Sequence, residues 1–200
     1  MTLSQADPFH FVVLIPHRDS AQALEPYSRK LFAAGFAGAY SFPNVAPLAF
    51  VSRACSRGEL KALGLSQRNL IAGGRDGKVR VLPPHIVACP SPALALFGPV
   101  LDTPVPAPEM FPAGAALYCF PRLILCAALL GPGDEALTRQ AILPELSVPP
   151  FRAAMLANMS LSPLDSGAPA YSFAWEIGEP VWLPAYKASE ARGKGSEICS

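Results

Sequence analysis

Two hundred residues, 51% of them apolar and 16% charged, suffice for one compact domain with its own core. That composition excludes a disordered chain of the low-hydrophobicity, high-charge kind. The formal net charge of +1 excludes a global field that would gather nucleic acid.

Phe9 to Ile15 (FHFVVLI) is β-branched and aromatic and ends at Pro16, so it reads as a buried central strand. Asp19 and Ser20 then offer an N-cap, and Ala21, Leu24, Tyr27, Leu31 and Ala34 recur at helical spacing up to Gly35. Pro26 fits that helix only in a first turn or at a kink. Ala39 to Val51 carries Pro43 and Pro47 and is predicted to be an interrupted or edge strand. Ser56-Arg57-Gly58-Glu59 has capping-box spacing and opens a second helix through Leu60, Leu63 and Leu70, which Gly73-Gly74 ends. Asp76-Gly77 turns the chain into a strand from Lys78 to Leu82. In the proline-dense stretch that follows, Ile86 to Ala88 reads as strand, Ala93 to Leu101 as a short helix, and Thr103 to Pro112 as a rigid loop.

Leu117 to Leu130 is the most apolar stretch; Pro121-Arg122 breaks it into two strand segments or one bulged strand. Asp134 to Leu143 is predicted to be a short helix with acidic residues at its start. Phe151 to Leu161 and Tyr171 to Ile177 are predicted strands joined by the loop SPLDSGAP. The order suggests an α/β or α+β chain of two halves of similar size. One continuous sheet without symmetry is the alternative.

The longest apolar run, Leu123 to Leu130, has eight residues, whereas a membrane-spanning helix needs about 20. The start, MTLSQADPFHF, lacks the basic segment and apolar run of a secretory signal. Five cysteines (Cys55, Cys89, Cys119, Cys126, Cys199) are scattered, four of them in apolar or small-residue surroundings, as reduced thiols are. These features predict a cytoplasmic protein with no membrane association. No pair has C-x-x-C spacing and His10, His17 and His85 stand apart from the cysteines, so neither a metal nor a cofactor is expected.

The segment GGRDGKV is too short for a phosphate loop, lacks a Ser or Thr after its lysine, and precedes a strand. No G-x-S-x-G elbow and no H-E-x-x-H pair occurs, and the acidic residues form no obvious couple. Charge is uneven: residues 1–80 hold ten Lys/Arg against five Asp/Glu, and residues 81–200 hold six against ten. His10 and His85 lie in or at predicted strands and read as packed residues. His17, with Arg18, sits just past the end of the first strand, where ligands bind in open α/β sheets.

The pattern FRAAMLANMSLSPLDSGAPAYSFAWEI (residues 151–177) resembles the 2H phosphoesterase superfamily, which includes the 2′-5′ RNA ligase-like proteins and cyclic phosphodiesterases. An opening apolar strand, a helix and a Pro43-Asn44 step into the next strand are compatible with it. The resemblance implies one bilobal domain over residues 1–187: two pseudo-symmetric α/β lobes, with antiparallel or mixed sheets around a central cleft. Residues 188–200 would be a flexible tail. It also implies two H-x-[TS] tripeptides acting on a phosphodiester, one histidine as base and the other as acid.

Carried onto this chain, the tripeptides fall on Pro47-Leu48-Ala49 and Arg122-Leu123-Ile124, which keep neither histidine nor hydroxyl. Proline has no proton to exchange and arginine keeps its own, so the resemblance implies a pseudoenzyme with no catalytic residues. A guanidinium at Arg122 suits bidentate phosphate contact. The first expectation is a cleft walled by Arg122, Arg53, His17 and Tyr171 that holds a nucleotide, RNA or another phosphate ester without cleaving it. The alternative is a protein-interaction or scaffold domain. A third is an enzyme using Cys119 or Cys126 beside a distant histidine.

Overall fold

The opening run FHFVVLIP forms strand β1 (Phe9–Pro16), which is hydrogen-bonded along both of its edges. Antiparallel pairing joins it on one side to β2 (Ala46–Val51) and on the other to β8 (Ala153–Pro163). In this computed structural model the described residues are 8–33, 44–66, 80–88, 95–102, 108–120, 122–125, 128–130, 151–163 and 173–183. Within them the remaining strands are β3 (Arg80–Ala88), β4 (Ala95–Asp102), β5 (Ala116–Cys119), β6 (Leu123–Ile124), β7 (Ala128–Leu130), β9 (Phe173–Ile177) and β10 (Val181–Trp182). One sheet runs β10-β8-β1-β2-β5, with β9 also on β8; the second runs β3-β4-β6, with β7 also on β4. Every pairing is antiparallel, so the chain is α+β with few helices. Among the described residues no helix is long and apolar enough to cross a membrane.

A short segment joins an edge of one sheet to an edge of the other. Residues 116–119 pair with β2, the Phe120 amide donates to the Leu48 carbonyl (3.3 Å), and residues 123–124 pair with β4. The chain therefore passes from the edge of one sheet to the edge of the other around Arg122. Strand alternation then divides the core in two. Val12, Leu14, Ala49, Val51 and Leu156 face one way, and pack with Leu101 and Leu123 of the second sheet. Phe11, Val13, Ala157 and Met159 face the other way, and pack with Val100, Phe120 and Ile124.

Four sequence expectations change. The single helix from Ala21 is two: α1 (Arg18–Gln22) and α2 (Glu25–Ala33). Pro26 falls in the first turn of α2, where its missing amide costs nothing. The N-cap of α1 is His17 rather than Asp19 or Ser20: Asp19 lies in the first turn, and the buried Ser20 hydroxyl accepts the Arg152 amide (3.0 Å). The expected helix from Ala93 to Leu101 is strand β4, in which residues 96–100 are all buried. A short run that is apolar on every side carries no period, and Gly98-Pro99 disfavours a helix. Strand β3 also runs unbroken through Pro83-Pro84, with a register shift between Leu82 and Pro84. Among the described residues it pairs with β4 alone, the edge setting in which proline is tolerated. The predicted helix over 134–143 and the tail lie outside the described residues.

Helix α3 (Arg57–Ser66) begins as the capping box requires. The Glu59 amide donates to Ser56 Oγ (3.3 Å), and the Ser56 amide donates to the Glu59 carboxylate (2.7 Å). Leu60 and Leu63 bury against Leu156, Val181 and Leu183. An Arg57–Glu179 ion pair ties the same helix to the turn between β9 and β10. The β2–α3 connection is held from across the sheet by Asn158 of β8: Oδ1 accepts the Cys55 amide (2.8 Å) and Nδ2 donates to the Cys55 carbonyl (2.7 Å). Replacing Asn158 by Leu should destabilise the domain by about 1–3 kcal/mol for each Cys55 group left unpaired. Ser56→Ala should cost about 1 kcal/mol. Urea denaturation followed by circular dichroism measures both, and the Asn158 variant should be the weaker.

Candidate functional site

The two tripeptide positions lie near each other: β2 and β6 are in contact, the Phe120 amide two residues before Arg122 donates to the Leu48 carbonyl, and Leu48, Ala49 and Leu123 share one side of the core. They do not frame a polar cleft. Pro47 pairs with Val13 while Ala49 pairs with Val12, leaving Leu48 as an extra residue in the register. Cross-strand partners share a face, so Pro47 and Ala49 point to opposite faces of β2. Pro47 is buried, Ala49 and Ile124 are both 0% exposed, and Ile124 packs among Phe11, Val13, Phe120 and Met159. Aromatic rings line this side: Phe11 against Phe50 (centroids 5.5 Å apart), Phe11 stacked on Phe120 (6.3 Å), and Tyr118 edge-on to Phe120 (5.5 Å).

Arg122 is exposed. The ladder pairs Leu101 with Leu123 and Arg80 with Asp102, and Arg122 precedes Leu123 just outside β6. Arg80 and Asp102 are exposed cross-strand partners beyond the Leu82–Val100–Ile124 row of the core, at the end of the sheet where the exposed Arg122 enters β6.

The other predicted walls lie elsewhere. Arg53 follows β2 and makes a bidentate pair with Glu59 (2.8 and 3.0 Å), with a third bond to the Ala54 carbonyl (3.1 Å). Hydrogen bonds from Arg53 first, and from the Ser56 amide second, pull the Glu59 carboxyl down from 4.5 to about 2. The Glu59 carboxylate raises Arg53 in return. His17 follows β1, which runs antiparallel to β2, so it lies at the opposite end of the sheet from Arg53, roughly 25 Å away by strand rise. Its Nδ1 stands 3.4 Å from the Asp19 amide and 3.3 Å from the Asp19 carboxylate, and its own amide donates to the Arg152 carbonyl (2.7 Å). A neutral ring accepts the amide and a protonated ring donates to the carboxylate; in both states it serves the start of α1. Tyr171 lies outside the described residues.

Of the cysteines, Cys55 is 5% exposed, and burial pushes its thiol up; burial first and Glu109 second do the same to Cys119. Raised thiols hold less of the reactive thiolate. Cys89, Cys126 and Cys199 lie outside the described residues. Among the described residues, no three His, Cys, Asp or Glu side chains gather into a group able to hold a metal ion.

Compared with the models of known protein families, the chain matches none. Compared with curated proteins, it matches none either. Asn158 and the aromatic side of the core are the features that sequence reasoning missed. A lone Asn inside the apolar run AAMLANM was the available signal for the first, because a buried amide has to be satisfied.

Two outcomes follow from this geometry. Glu59 has a depressed carboxyl, so its contribution to stability is fully present above pH 4.5 and is lost as pH falls through about 2. The urea midpoint of wild type should exceed that of Glu59→Gln by a constant margin from pH 5 to 7, and the margin should shrink from pH 4.5 downward. Ile124→Thr buries a hydroxyl where a methylene group had packed, and should cost about 1–3 kcal/mol in the same assay.

Proposed function

We propose that this chain is a 2H phosphoesterase-like domain that does not carry out the family's reaction and works instead by binding another protein. The observation that carries the reading is the packing at the positions where two histidines and two hydroxyls would stand: Pro47, Ala49 and Ile124 are buried, and Pro47 and Ala49 point to opposite faces. Proton transfer needs titratable groups within reach of a substrate atom, and here the space is filled by Phe11, Val13 and Phe120. Support for the relationship comes from the contact between β2 and β6, which carry the two tripeptide segments, and from the strands β8 and β9 where strands were expected on either side of SPLDSGAP. Support for a binding role comes from large apolar side chains left open on the described surface: Leu65 at 62%, Leu117 at 58%, Trp182 at 43% and Trp175 at 40%.

One observation favours a second reading, in which a phosphate ester binds without being cleaved. Two exposed guanidiniums stand at one end of the second sheet: Arg80, paired with Asp102 across the β3–β4 ladder, and Arg122, the residue just before β6. Arg53 and His17 take no part in this version, because Glu59 and the start of α1 engage them.

The readings separate in one set of measurements. Purified protein incubated with 2′,3′-cyclic nucleotides and with 2′-5′-linked oligonucleotides should give no turnover above buffer; turnover lost on mutating the chain's own residues would end the proposal. Titration with mononucleotides and short RNA at low salt should give no saturable signal. A saturable signal that weakens about tenfold in Arg122→Ala, the loss of roughly one charge-assisted hydrogen bond, would instead establish the second reading.

A further inference from the structure

We draw no further inference here: the strongest candidate, the outer edge of the six-stranded sheet where Trp175 of β9 and Trp182 of β10 stand partly exposed on one face, carries nothing because nothing in the structure shows what covers it.

Discussion

Strand β1 is bonded along both edges and buried on both faces, and the placement of the remaining elements depends on that double enclosure. Its backbone groups leave water only because β2 and β8 supply partners on either side. Its side chains divide between the two halves of the core, Val12 and Leu14 to one and Phe11 and Val13 to the other. A shift of one residue against β8 would exchange these sets and carry polar Asn158 and Ser160 into the aromatic side. The register of β8 is therefore held firmly, and with it the Asn158 amide that anchors Cys55 and the start of α3.

Legibility in the sequence tracked how local each cause is. The first strand, the capping box at Ser56 and Glu59, and the β8 strand were readable because a few neighbouring residues decide them. The break between α1 and α2 was half-readable, since Pro26 announced a problem without saying on which side the helix would stop. Strand β4 was misread because a stretch buried on both faces loses the alternation that marks a strand. The passage of residues 116–125 between two sheets left no signal beyond the Pro121-Arg122 interruption. Its cause is a pairing with β2, some seventy positions earlier in the chain.

The candidate site was less legible than the fold. Cationic and imidazole side chains were marked as free to meet a ligand, yet near neighbours claim two of them: Glu59 holds Arg53, and Asp19 stands against His17. Both partners were visible in the sequence, six and two residues away, and both belong to helix starts whose own backbone needs explain the contact. The antiparallel course of β1 and β2, which sends His17 and Arg53 to opposite ends of the sheet, depends on long-range pairing. Arg122 is exposed just before β6, at the end of the second sheet where Arg80 pairs with Asp102.

The extra residue at Leu48 has a consequence for what substitution can build here as well as for packing. In an unshifted strand the first and third members of a tripeptide look the same way, so exchanging two side chains could equip one wall of a cleft. Here the third member has rotated to the far wall. Setting two functional side chains at positions 47 and 49 on one wall would thus require a change in chain length near that point, which substitution alone does not supply. Side chains introduced at those two positions would enter separate halves of the core and could not act on one atom together.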